Sequence, residues 1–113
     1  MVSAVKKKIL SPVEIVDALL ARIEKINPQV NAYCTVVPEM AREAARKAEA
    51  AVMRKGKLGP LHGIPVSIKD LTLTAGIRTT WGSKIFEHFV PEEDALIVQR
   101  LKSAGAIVIG KTN

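Results

Sequence analysis

Cysteine occurs once in this 113-residue chain, as Cys34, so an intrachain disulfide framework is excluded and a reducing compartment is the default. Small buried cysteines are commonplace, and Cys34 reads as packing rather than as a nucleophile. Histidine is nearly as scarce. With only His62 and His88 beside that cysteine, no metal-ligand spacing can be assembled and no metal site is expected. Aromatics make up 4% of the residues, which leaves aliphatic and alanine side chains to fill the core. No apolar stretch reaches the roughly 18 residues of a membrane span, and the lysines near the amino terminus precede no apolar segment of signal-peptide length. The expectation is a cytoplasmic protein with no membrane partner.

Acidic residues are in the minority, 11 against 17 lysines and arginines, for a net charge of +6. A basic balance raises the question of nucleic acid. Its distribution argues otherwise. Lys6, Lys7 and Lys8 form the one tight run, while Arg42, Arg46, Lys47, Arg54, Lys55 and Lys57 are spread among acids along a helical pattern, with no aromatics interleaved to stack bases. A solvated basic face is the reading, and direct nucleic-acid binding is not expected.

What the chain has in quantity is apolar sequence, 48% of its residues, the make-up of one globular domain and slightly oily for so small a one. Ser11-Pro12-Val13-Glu14 is a capping box with proline at the first helical position, and it predicts a helix start. Val16, Leu19, Leu20, Ile23 and Ile26 then fall on one face, and Asn27-Pro28 is the expected end. The next stretch, "QVNAYCTVV", reads as extended or irregular. Pro38 opens a second helix over residues 38 to 55, rich in Ala41, Ala44, Ala45, Ala48 and Ala51, with Gly56 as its stop.

After a Gly/Pro loop, residues 64 to 69 read as a buried strand. Pro91-Glu92-Glu93-Asp94 sets the expected start of a third helix, with acids at the positive end of its dipole. Val98, Leu101 and Ala104 share a face, and Gly105 ends it. Residues 106 to 110, "AIVIG", are a second apolar strand. Strand, helix, strand is a βαβ unit with parallel pairing and a right-handed crossover. Neither strand alternates polar and apolar, so both sheet faces should be covered. The fold class is α/β.

One feature breaks the pattern. In "GIPVSIKDL" an amine stands at the end of a buried-strand run, with Ser67 and Lys69 on one face and Val66, Ile68 and Asp70 on the other. Burial favours the neutral amine, and a neutral lysine can take a proton from a serine hydroxyl. The bland alternatives are a lysine that reaches solvent, pairs with Asp70 or guards a strand edge. Ser67 is a poor candidate nucleophile, since nothing near it in sequence supplies oxyanion donors.

Taken together, "GPLHGIPVSIKDL", "GIRTTWGS", "DALIVQRLKSAGAIVIGKTN" and the upstream "VNAY" resemble the amino-terminal part of the amidase signature family, over residues 11 to 113. The resemblance implies carboxamide chemistry by a Ser, cis-Ser, Lys triad, on a mixed sheet flanked by helices, without metal or organic cofactor. Lys69 matches the family's lysine. The family's two serines lie beyond "GKTN", and neither Ser67 nor Ser83 matches them. The resemblance therefore implies that residues 1–113 form a single incomplete domain, holding the catalytic lysine and inactive alone. Thr80, Gly82 and Ser83 are its candidate substrate-binding residues, although threonine, glycine and serine also suit turns. Asp70 either orients Lys69 or caps a turn, and the second is favoured. Trp81 is packing before it is a pocket wall, and His62 shapes its turn.

The implied partners are a small-molecule amide and the remaining carboxyl-terminal part of the domain, or self-association. Two alternatives stay open: a non-catalytic remnant or interaction domain, and a segment of the amidase subunit of a tRNA-dependent amidotransferase.

Overall fold

In the computed structural model of this chain, which describes residues 1–54 and 56–113, a short helix α1, Val2–Lys6, precedes the first patterned one. No periodicity marks so brief an element. It is held by Val5, fully buried beside Pro12 and Gly63. Helix α2, Pro12–Val30, then starts where the Ser11 hydroxyl accepts from the N–H groups of Val13 and Glu14 at 3.1 and 3.2 Å. The Ser11 hydroxyl hydrogen goes to Glu49 at 2.5 Å, so the cap also ties α2 to the next long helix.

The expected end of α2 at Asn27-Pro28 is corrected: Pro28 lies inside the helix, which closes at Asn31 in the left-handed region (φ 49°). Proline here forfeits one hydrogen bond near an exposed end. The extra turn is secured by Asn27, whose side-chain oxygen accepts from the Tyr33 N–H at 2.8 Å and whose amide donates to the Tyr33 carbonyl at 3.2 Å. That side chain carries the chain into strand β1, Tyr33–Val36.

Helix α3, Pro38–Met53, follows; its expected end at Lys55 lies outside the described residues. Its small Ala41, Ala45 and Ala48 let it pack closely on Val16, Leu20 and Ile23 of α2, and this pair covers Ile107 and Ile109 of the sheet. Strand β2 is Pro65–Lys69, helix α4 is Leu96–Ser103 and strand β3 is Ile107–Thr112. The third helix thus begins at Leu96, not at Pro91. The acids before it are used otherwise: the Asp94 carboxylate accepts from the Ala75 N–H at 2.7 Å and from Lys102 Nζ at 2.7 Å, which holds the 70–95 crossover against the helix.

The sheet order is β1-β3-β2, with β2 and β3 parallel and β1 antiparallel to β3. The βαβ unit is therefore present, and the sheet is mixed. On one face Ile68 and Val108 pack with Ile77 and Val98 under α4 and the crossover. On the other, α2 and α3 cover β3, but Ser67 and Lys69 on β2 are exposed. The expectation that both faces are covered is corrected there, since Val66-Ser67-Ile68-Lys69 alternates apolar and polar and buries Ile68 while exposing Ser67 and Lys69. Among the described residues no helix is long and apolar enough to cross a membrane.

Candidate functional site

Lys69 is the last residue of β2, at the carboxyl edge of the parallel pair, where α/β sheets commonly bind ligands. Its Cα is in register with Thr112 of β3, and Thr112 is in register with Tyr33 of β1. The three share one face. The lysine is exposed rather than buried, as is Ser67 two residues before it. The Ser67 hydroxyl is engaged by the Tyr33 phenol, 2.5 Å away across the intervening strand.

The crossover brings the other candidates back to this edge. The backbone folds so that the Trp81 N–H donates to the Asp70 carbonyl at 3.2 Å. The buried Asp70 carboxylate accepts from the Thr80 N–H at 3.2 Å and from the Thr80 hydroxyl. Asp70 is therefore the turn cap, as turn chemistry favours. Thr80 in turn accepts from the Gly82 N–H at 3.2 Å through its hydroxyl, and from the Ser83 N–H at 2.9 Å through its carbonyl. Gly82 has φ +71°, where a side chain is strained although nothing lies within 4 Å of the place a β-carbon would take. Ser83 caps the 3₁₀ turn Lys84–Phe86, its hydroxyl accepting from the Ile85 N–H at 3.3 Å.

Thus Thr80 and Ser83 already serve the turn, and Gly82 is the open position among the three. Trp81 donates its indole N–H to the Leu71 carbonyl at 2.9 Å and packs against Phe86 and Phe89, with ring centroids 4.7 and 5.2 Å away. His62 is buried in its loop with Nε2 2.9 Å from the Ala48 carbonyl. Among the described residues no three His, Cys, Asp or Glu side chains gather as metal ligands.

Three residues that sequence reasoning passed over organise this edge. Tyr33 reaches Ser67 as described. Arg78 donates to the Thr35 hydroxyl at 3.1 Å, the Cys34 carbonyl at 2.7 Å and the Glu87 carbonyl at 3.1 Å, joining β1 to the crossover. Lys111, not Lys69, is the buried amine. Its Nζ donates to the Thr72 carbonyl at 2.6 Å and the Thr79 hydroxyl at 2.7 Å, and burial pushes its pKa down, partly offset by the charge of Asp70. A signal was there: "AIVIGKT" interrupts an apolar run with lysine just as "VSIK" does. Ending the strand at Gly110 hid it.

Comparison with known proteins gives a consistent picture. The family described as Amidase matches residues 14–113. The chain is 52% identical over 108 residues to the A subunit of the glutamyl-tRNA(Gln) amidotransferase of Geobacter metallireducens, covering 96% of this chain and 22% of that protein. It is 50% identical over 104 residues to the corresponding protein of a Roseiflexus species, covering 92% and 21%. Among solved structures it resembles the peptide amidase of Stenotrophomonas maltophilia, with a TM-score of 0.89 at 36% identity, covering 98% of this chain and 23% of that one. A bacterial aryl acylamidase of the amidase signature family matches with a TM-score of 0.91 at 27% identity, covering 99% and 24%. The chain spans about a fifth of the length of the relatives it matches.

Proposed function

This chain belongs to the amidase family, and on that footing we propose that it supplies the lysine base of a carboxamide-cleaving site. Lys69 is that base. As the free amine it takes a proton from a bridging serine, which takes one from the nucleophilic serine. The serine oxygen attacks the carboxamide carbon, the proton returns along the same path to the departing ammonia, and water then cleaves the acyl-enzyme. Both serines and the donors that stabilise the oxyanion come from polypeptide outside these 113 residues, so the chain alone is inactive. The reaction calls for no metal or organic cofactor. The cytoplasm is the compartment we assign to it.

The observation that carries this reading is the place of Lys69, on the uncovered part of the sheet at the carboxyl edge of β2. A lysine works as a base near neutral pH once water is removed from around it. The segment that brings the serines also closes this face and supplies that desolvation. Thr80, Gly82 and Ser83 border the amide pocket, with the Gly82 position admitting substrate.

The test joins this chain to the serine-bearing remainder of an amidase and measures ammonia release. Activity should appear only in the joined protein and disappear with Lys69→Ala. Retention of activity by that variant overturns the assignment. A second reading, that the assembled protein is an amidotransferase subunit, is favoured by the 52% identity to such a subunit against 36% for the peptide amidase. Release of ammonia from free glutamine that rises on adding the partner subunits and charged tRNA supports it.

A further inference from the structure

Lys111 is in register with Ile68, one position before the Lys69–Thr112 pair, and so projects from the opposite face of the sheet. On that face Ile68, Ile77, Val98 and Val108 form one apolar cluster, and the buried Asp70 carboxylate is the charge that partly offsets the burial of the amine. Placing an ammonium group beside such a cluster is costly, and a leucine would extend it without that cost. What lysine supplies instead is direction. Its two acceptors, the Thr72 carbonyl and the Thr79 hydroxyl, belong to the two limbs of the loop that leaves β2 and returns to it. Thr79 is fully buried, and its hydroxyl hydrogen goes to the Ile77 carbonyl at 3.1 Å, which leaves its oxygen free to accept from the lysine.

The neighbouring residue is held from the other side. Thr80 binds the Asp70 carboxylate through both its N–H and its hydroxyl, and Trp81 binds the Asp70 carbonyl. Two adjacent residues are thus gripped by a buried amine on β3 and a buried carboxylate on the residue just past the end of β2. Beyond Trp81, Gly82 and Ser83 hang from Thr80 by the hydrogen bonds of their own N–H groups.

We propose that Lys111 is a positioning residue: with Asp70 it forms a two-point clamp on Thr79 and Thr80 that fixes where the 80–83 turn stands over the edge of β2. Its consequence for substrate rests on the amidase reading; the clamp itself does not. Lysine at this position acts through the turn and touches no reacting atom.

Trp81 is the chain's one tryptophan and sits in the clamped turn, so its emission and the exchange of nearby amides report the clamp directly. Lys111→Met and Thr79→Val are made singly and together in this chain. Each single variant should speed hydrogen exchange at the amides of Trp81, Gly82 and Ser83 by about tenfold and shift the Trp81 emission, while amides of α2 and α3 on the far side keep their wild-type rates. The two changes should be less than additive in the double variant, because they share the Lys111–Thr79 bond, while Thr79→Val alone also loses the bond to the Ile77 carbonyl and Lys111→Met the bond to the Thr72 carbonyl. Unchanged exchange in the turn, uniform acceleration throughout the chain, or additive effects overturn the clamp. Should Lys111→Met not fold, Thr79→Val takes its place, since it leaves the amine its Thr72 partner, and unchanged exchange in the turn of that variant overturns the clamp.

In the joined amidase, Lys111→Met should raise KM about tenfold with kcat within about twofold. Unchanged KM overturns the link to substrate. An inactive wild-type protein refutes the amidase reading instead, and the exchange result on the clamp stands separately.

Discussion

The Tyr33 phenol and the Ser67 hydroxyl meet at 2.5 Å although they belong to β1 and β2, which lie on opposite sides of β3. The strand between them offers Gly110, in register with Val36 on one side and Ser67 on the other. The tyrosine thus reaches from beside the α2–α3 cluster, against which it packs, across β3 to the exposed Ser67. If that bond ties the strands together, Tyr33→Phe and Ser67→Ala should each lower stability by about 0.5–1.5 kcal/mol, with the double variant little worse than either single one. Urea unfolding of the four proteins measures the coupling.

Gly110 itself has no room to change. A β-carbon there would lie 2.2 Å from the Thr35 carbonyl oxygen and 3.1 Å from the Val36 Cα, backbone atoms that cannot swing aside. Gly110→Ala should therefore destabilise at or above the upper end of the ~1–3 kcal/mol range for overpacking, and release β1 from the sheet. Hydrogen exchange at Tyr33 to Val36, faster than at β2, is the measurement.

Lys69 is exposed at the end of its strand, so its removal costs no packing. Lys69→Ala should stay within about 0.5 kcal/mol of wild-type stability while abolishing ammonia release from the joined amidase. A thermal melt beside the activity assay separates the two effects. Loss of both together would make the residue a structural one.

Lys111 has the opposite profile and gives a pH signature. Its pKa in the folded chain is lowered from 10.5 by burial, so between the folded value and 10.5 the unfolded chain binds more protons. Its contribution to stability rises with pH through that window and is least below it. Lys111→Met removes this term. The difference in unfolding free energy, wild type minus variant, should therefore increase from neutral pH toward pH 10.5, and a flat difference would contradict the burial of the amine.

Much of the architecture was legible because it is local. The Ser11 cap, the apolar stripe from Val16 to Ile26, the alanines of α3 and the two apolar strands each declare themselves within a few residues, and a βαβ order dictates parallel pairing. Element ends were less legible. Asn27 extends α2 past a proline by bonding to Tyr33, and Asp94 serves Ala75 and Lys102 instead of starting α4; both depend on partners that periodicity does not see.

Sequence by itself determined the α/β class, the position of Lys69 at the end of a strand, and the family. Only the tertiary structure decided which lysine is buried. Lys69 and Lys111 stand in similar apolar runs, and what separates them is the face each strand presents: Lys69 looks onto the stretch of sheet beyond α2 and α3, and Lys111 under the crossover, against Thr72 and Thr79. Burial is set by what packs above a residue, and for both lysines that is chain distant in sequence.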